Sequence, residues 1–333
     1  MVQTKKLDLK NFAMTHMIEL LLVAMIVGMS FASPAFMTTA NVLNVLRNVA
    51  MKGVIAYGMC MVILSGEIDL SVGSQVALCA VIIAYVSKNL ADAGIMPIEW
   101  GALVGLVVAL IVAIGFGAFH AWARHNFGMP SFIITLATLN IMYGLAAIIC
   151  GGFPIVGGFP KWYEFFGAGK VLAFGDFPGI PFPAIVLIIT FFIIWFLTEK
   201  TDLGRKIYAV GGNAEAARLS GISVWKTRMF VMCAVQVMCV LGGVMNSAQV
   251  RSATFGFGRG WETQIISSVV IGGTSMLGGI GTMWGTLVGV LFTGVIANSM
   301  TLLNVNEYMQ YVVNGALMFF AVMFNTYMTR KKS

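Results

Sequence analysis

Apolar residues in this chain come in long runs, near residues 18–37, 48–66, 69–87, 98–119, 130–150, 181–198, 229–249, 263–277, 282–303 and 309–328. A helix needs roughly 20 mostly apolar residues to cross roughly 30 Å of hydrocarbon. Such runs recur from one end of the chain to the other, which predicts one membrane domain over residues 1–333 rather than a soluble domain with an anchor. The second and third runs, and the eighth and ninth, are separated only by short Gly-bearing turns. The expected fold is all-α: a polytopic membrane protein of about ten transmembrane helices, two of them broken by Gly-rich turns.

Composition supports the same class. Hydrophobic residues make up 59% of the chain and charged residues only 10%, against roughly 25% charged in ordinary soluble domains. The net charge of +7 sits between the runs, where it sets orientation and does not point to nucleic acid. With an inside N-terminus, thirteen of the twenty Lys and Arg fall on inside segments: Lys5, Lys6, Lys10, Arg124, Lys200, Arg205, Lys206, Arg218, Lys226, Arg228, Arg330, Lys331 and Lys332. The other seven, Arg47, Lys52, Lys88, Lys161, Lys170, Arg251 and Arg259, fall on outside segments and span margins. Both termini are therefore expected in the cytoplasm. The first run starts near Ile18 behind a basic head, with no small-residue cleavage pattern, and reads as a retained first span.

Candidate chemistry is sparse. Cys60, Cys79, Cys150, Cys233 and Cys239 lie in or beside apolar runs without metal-ligand spacing, and His16, His120 and His125 are scattered. No acid–base pair, nucleophile or metal set supports an enzyme. The string Gly167-Ala168-Gly169-Lys170-Val171 lacks the glycine spacing and the hydroxyl residue of a phosphate-binding loop. The chain is expected to bind no cofactor itself.

Two connections are long. Residues 151–181 form an outside loop rich in Gly, Pro and aromatics (Phe153, Phe159, Trp162, Tyr163, Phe165, Phe166). These rings suit either an aromatic belt at the headgroup level or a docking surface for an outside partner. Residues 198–228 form the longest cytoplasmic segment. There Gly211-Gly212-Asn213 signals a turn, Asn213 can cap the helix that follows, Ala214 to Leu219 favours helix, and Gly221 ends it. The small residues, Ala217 among them, permit close approach of another surface, and Glu215 and Arg218 form an i, i+3 pair. Such a helix either merely joins two spans or carries a partner.

Polar groups within the runs are few. Asp69, two residues after Glu67, lies where either it or Ser71 can cap the third span, or where a broken helix stands beside a path. Ser74 follows in the same stretch. Thr274 and Ser275 sit among Gly272, Gly273, Gly278, Gly279 and Gly281, glycines that either allow close packing or break a helix. Asn140, Asn246, Gln249, Asn298 and Asn314 serve either helix-to-helix hydrogen bonds or a wall for a hydroxylated solute. The near absence of charge in the spans argues against an ionic solute.

Three stretches resemble signatures of the ribose-type permeases of ATP-binding-cassette importers. They are Gly66-Glu67-Ile68-Asp69-Leu70-Ser71-Val72-Gly73-Ser74, with Glu67 where Gly is usual; Tyr208 to Ile222; and Ile271 to Thr282, with Ile280 where a basic residue is common. Pro130 to Leu136 fits a fourth pattern, and the resemblance covers about residues 20–328. It implies a monosaccharide importer subunit in a bacterial inner membrane, paired with a second permease subunit, an identical copy by preference. Cytoplasmic ATPase subunits would hold the ATP and Mg, and an extracytoplasmic sugar-binding protein would deliver the solute. Gly211, Gly212, Asn213, Glu215, Ala217, Arg218 and Leu219 would couple to the ATPase. The translocation path would be drawn from Asp69, Ser71, Ser74, Asn140, Asn246, Gln249, Thr274, Ser275 and Asn298. Two competing readings are an ion-coupled secondary transporter using Asp69 and Glu67, and a permease of the same superfamily for amino acids or nucleosides.

Overall fold

The computed structural model describes residues 16–330. In chain order the helices are α1 (Met17–Ala32), α2 (Thr39–Leu64), α3 (Val72–Asp92), α4 (Ile98–Phe127), α5 (Ser131–Ile149), the single turn α6 (Phe165–Ala168), α7 (Phe182–Lys200), α8 (Asp202–Gly212), α9 (Ala214–Leu219), α10 (Val224–Val250), α11 (Trp261–Ile271), α12 (Met283–Leu302) and α13 (Glu307–Arg330). Among the described residues strands are limited to two antiparallel pairs of two residues each, Ile155–Val156 with Ser252–Ala253 and Lys170–Val171 with Ile180–Pro181. The protein is a multi-pass, all-helical membrane protein: seven helices among the described residues (α2, α3, α4, α5, α7, α10 and α12) are long and apolar enough to cross a bilayer.

Local sequence explains where these helices start and stop. Thr38, Thr282 and Ser223 each accept a hydrogen bond from a first-turn backbone N–H of α2, α12 and α10. Pro97, Pro130 and Pro181 precede α4, α5 and α7, where a missing N–H costs nothing. Gly128 closes α4 in the left-handed region at φ 64°.

Two expected spans differ from the described helices. The run at 18–37 forms a helix of only 16 residues. The run at 263–277 forms α11, which has 11 residues and so rises about 16 Å, half a bilayer. Beyond it, residues 272–282 continue as a glycine-rich link. The basic head Lys5, Lys6 and Lys10, with Lys331 and Lys332, lies outside the described residues.

Burial is arranged as a bilayer demands. From Val49 to Leu64 every residue of α2 except Lys52 is buried, so α2 is the central post. By contrast α4, α5 and α7 present Val107, Ile111, Ile141, Phe192 and Phe196 outward, an apolar exterior that water would not tolerate. Helices meet closely where one of them carries glycine. A Cβ on Gly105 would lie 2.9 Å from the Ile83 backbone, and one on Gly58 would lie 2.9 Å from Val235 Cα. A Cβ on Gly117 would lie 2.6 Å from Cys233 Cα, so this glycine lets α4 touch α10.

Contacts also order the two ends of the bundle. Glu19 of α1 accepts from Trp284 Nε1 near the start of α12, and Tyr208 of α8 reaches Gly281 just before it. The start of α1, the end of α2 and the start of α12 thus share the end at which α8 and α9 lie, called here the α9 end.

Gly117→Ala should lower the thermal midpoint of the purified chain, because α4 and α10 must separate; overpacking of this kind costs about 1–3 kcal/mol. Gly115→Ala on the same helix meets nothing within 4 Å and should leave the midpoint unchanged or raise it. Equal melting of the two variants would contradict the packing described.

Candidate functional site

Three places hold the polar chemistry of the bundle: the 65–71 link between α2 and α3, a glycine junction at the α9 end, and a polar cavity beyond it.

The link is irregular backbone packed among helices, and the N–H groups of Glu67, Ile68, Leu70 and Ser71 find partners in the protein. Glu67 N–H donates to the Val62 carbonyl, closing α2. Ile68 N–H donates to Ser131 Oγ and Leu70 N–H to Thr135 Oγ1, both at 3.0 Å. Ser71 N–H donates to Asp69 Oδ1 at 2.8 Å. Asp69 is fully buried and also accepts from Ser71 Oγ at 2.6 Å and from Gln236 Nε2 at 2.7 Å. His120 Nδ1 stands 3.7 Å from its other oxygen, while His120 Nε2 meets Thr138 Oγ1 at 2.8 Å. Glu67 is buried too. Arg124 Nε donates to it at 3.0 Å, and Arg228 Nε lies 2.7 Å away as a charge contact without hydrogen-bond alignment.

At the α9 end three glycine segments converge. Gly279 N–H donates to the Leu64 carbonyl at 2.9 Å. A Cβ on Gly211 would sit 1.7 Å from that carbonyl and 2.7 Å from Gly279 N, and one on Gly278 would meet Gly66 Cα at 2.9 Å. Gly66, Gly278 and Gly279 also have φ of 78°, 88° and 70°, which L side chains rarely adopt. Tyr208 Oη donates to the Gly281 carbonyl at 2.9 Å. Segments 66–74, 208–222 and 271–282, far apart in the chain, are thus one contact.

The α9 helix itself forms as its residues predict. Asn213 Oδ1 accepts from Glu215 and Ala216 N–H, both at 3.0 Å. Gly221 ends it at φ 82°. Ala217 is buried, whereas Leu219 is 75% exposed. Glu215 and Arg218 pair at 2.6 Å on the exposed face, and the bond from Arg218, then its charge, holds the Glu215 carboxyl below the ordinary range. Gly212 has open space around it. The Gly211-Gly212 turn expected before α9 is instead the last turn of a separate helix, α8, because Thr201 caps an 11-residue amphipathic stretch ahead of it.

The cavity, about 380 Å³, lies among α2, α10, α11, α12 and α13. Its wall includes the expected Asn246, Gln249 and Asn298, together with Asn314. Asn298 and Asn41 also bond each other reciprocally at 2.8 and 3.0 Å. Sequence reasoning missed Lys52, Trp261 and Gln264 on the same wall. Lys52 was expected at an outside margin, but α2 begins at Thr39 and carries Lys52 well into the bundle.

The remaining expected path residues are placed elsewhere. Asp69, Ser71 and Ser74 are fully buried and absent from the cavity wall; Asp69 accepts from the N–H and Oγ of Ser71, the residue that precedes α3. Asn140 is on the outer face of α5, where its amide donates to the Leu136 carbonyl of its own helix. Thr274 is buried beside Cys60, and Ser275 braces the 272–282 link by donating its N–H to the Ile280 carbonyl.

The 151–181 connection turns part of its aromatic content inward. Tyr163 is buried, stacks on Phe159 at 4.4 Å and bonds Ser247 Oγ at 2.9 Å. Phe153 and Phe174 remain exposed. Arg251 pairs with Glu164, tying this connection to the end of α10.

The family model described as branched-chain amino acid transport system / permease component matches residues 41–322. The ribose import permease protein of Bacillus subtilis is 37% identical over 310 residues, which cover 93% of this chain and 90% of that protein. A probable ABC transporter permease protein of Escherichia coli is 33% identical over 335 residues, 99% of this chain and 96% of that one. The galactose/methyl galactoside import permease protein of Escherichia coli is 32% identical over 313 residues, covering 92% and 91% respectively. No solved structure matches the chain.

Glu67→Ala should leave Arg124 and Arg228 facing each other without their shared carboxylate, a loss of about 3 kcal/mol by analogy with broken buried pairs. Adding Arg124→Met should recover part of it. Denaturation of the single and double variants in detergent checks both; a single variant as stable as the parent would remove the bridge from the account.

Proposed function

We propose that this chain, which belongs to the branched-chain amino acid transport system / permease component family, is the membrane-spanning subunit of an ATP-binding-cassette importer that carries a monosaccharide into the cytoplasm. The long relatives named for ribose and for galactose or methyl galactoside support the solute class. The observation that carries the mechanism is the glycine junction. Displacement of α9 passes through Gly211 directly to the end of α2 and to the 272–282 link, backbone against backbone. That link joins α11 to α12, both of which line the cavity. Movement of α9 would therefore reach the segment that joins two cavity-lining helices.

The chain crosses the bacterial inner membrane about ten times, with residues 251–282 completing one crossing through a returning link, α11 and the glycine-rich link. Both termini lie in the cytoplasm. Arg124, Arg205, Lys206, Arg218 and Arg228 gather at the α9 end, as the positive-inside rule requires. Its partners are a second permease subunit, by preference an identical copy, and cytoplasmic ATPase subunits that hold ATP and Mg and receive α9 through Glu215, Arg218 and the exposed Leu219. A sugar-binding protein docks at the opposite end, beside residues 151–181. The exterior of the bundle contacts membrane lipid. An ion-coupled carrier is not favoured, since Glu67 and Asp69 are both engaged by partners inside the fold.

Leu219→Asp should abolish co-purification of the ATPase subunit with this chain. Gly211→Ala should leave co-purification intact and lower sugar uptake by about tenfold or more, because an interaction worth about 1.4 kcal/mol at the moving step already corresponds to tenfold. Gly212→Ala, with open space around it, should transport normally. Sugar uptake by vesicles holding only the purified chain would overturn the ATP-driven reading.

A further inference from the structure

Lys52 lies thirteen residues into α2 from Thr39, about 20 Å along the helix at 1.5 Å per residue. Every other residue of α2 from Val49 to Leu64 is buried, and Lys52 reaches the cavity wall. Its Nζ donates to Gln264 Oε1 at 2.5 Å and stands 5.4 Å from the centre of the Trp261 ring. No carboxylate among the described residues is within ion-pair reach of it. Every other polar group on the wall, Asn48, Asn246, Gln249 and Thr293 included, is neutral, so Lys52 is the sole charged residue lining the cavity among the described residues.

An ammonium carries three donors and no acceptor. Gln264 takes one, and the indole face provides an electron-rich surface beside the others. What the cluster lacks is a second acceptor, and that is what a solute has to bring. An amino acid brings a carboxylate but also an ammonium, and no anion lines the wall to receive that second charge. A sugar brings several hydroxyl oxygens, which accept from Lys52 and exchange hydrogen bonds with the amides, and a C–H ring face that suits Trp261. The field of a lone cation also repels inorganic cations from the passage.

We propose that Lys52, held by Gln264 and Trp261, is the solute-contacting and specificity-determining group of this cavity, donating to a hydroxyl oxygen of an uncharged sugar and disfavouring amino acids and cations. This rests on the importer reading above and adds to it the group that selects the solute class.

Saturation-transfer NMR on the full chain in nanodiscs, with ribose, galactose and leucine as probes, tests it. Transfer from the unaltered chain is expected to a sugar and not to leucine. Lys52→Met should cut sugar transfer by about tenfold, the loss of one hydrogen bond from a charged donor; Lys52→Arg should keep most of it. A 2-deoxy or other mono-deoxy sugar that binds the unaltered chain more weakly than its parent should lose that handicap in Lys52→Met, a discrimination that a purely structural lysine would not control. If Lys52→Met does not fold, Lys52→Gln, which can still bond Gln264, takes its place. Equal sugar transfer and undiminished discrimination in a folded variant overturn the role of Lys52 and leave the importer reading standing. Transfer to leucine but to no sugar overturns the sugar reading itself. Absence of transfer to any probe removes the cavity as a solute site.

Discussion

Inside a bilayer an unpaired backbone N–H or carbonyl has no water to fall back on, and this chain breaks its helices inside the bundle. That constraint organises the rest. The 65–71 link is held within the bundle because Ser131 and Thr135 on α5, and Asp69 within the link, accept N–H groups of its backbone. Asp69 in turn must be compensated, which draws in Gln236 from α10 and His120 from α4. One irregular stretch thus fixes the mutual positions of four helices. Glu67, two residues earlier, repeats the logic, tying the same α4 and α10 through Arg124 and Arg228.

The second break is treated differently. The 272–282 link relies on glycine and on its own carbonyls: Ser275 bonds Ile280, Gly278 bonds Ser275, and Gly279 borrows the last carbonyl of α2. It contains no acid, so it needs no buried countercharge. A segment held by backbone contacts and few side chains has a lower cost of rearrangement than one clamped by ion pairs. The acid-bearing link is therefore suited to be the fixed half of the bundle, and the glycine link the half that moves.

How much of this was legible in the residues depends on range. The Asn213 cap, the Gly221 stop and the Glu215–Arg218 pair are local, and each was visible in the spacing alone. So was the apolar character of the spans. The 18–37 and 263–277 runs read as full crossings because hydrophobicity does not reveal where a chain stops being helical; Gly272 and Gly273 end α11 early. Lys52 was misplaced for a related reason: α2 starts earlier than its apolar run, through polar residues such as Asn44 and Asn48 that line the cavity. Asn140 failed oppositely. Its amide bonds its own helix on the outer face, and nothing in its neighbours distinguishes that face from the inner one. Tyr163 was visible as an aromatic at a membrane margin, but its turn inward to Ser247 is a tertiary fact.

The four stretches that resemble a family signature owe their character to one another. Ser131 and Thr135 in the Pro130 to Leu136 stretch are the acceptors for the backbone of the 66–74 stretch. Gly66 in that stretch, Gly211 in the 208–222 stretch and Gly278 and Gly279 in the 271–282 stretch occupy a space that one Cβ would close. A side chain interposed at such a contact would absorb small displacements by changing rotamer. Backbone touching backbone has no such slack, because interiors are close-packed and deform little. Glycine at this junction therefore does two things at once: it admits left-handed turns beside the helix ends, and it leaves no side chain between the end of α2, α8 and the 272–282 link to absorb a displacement.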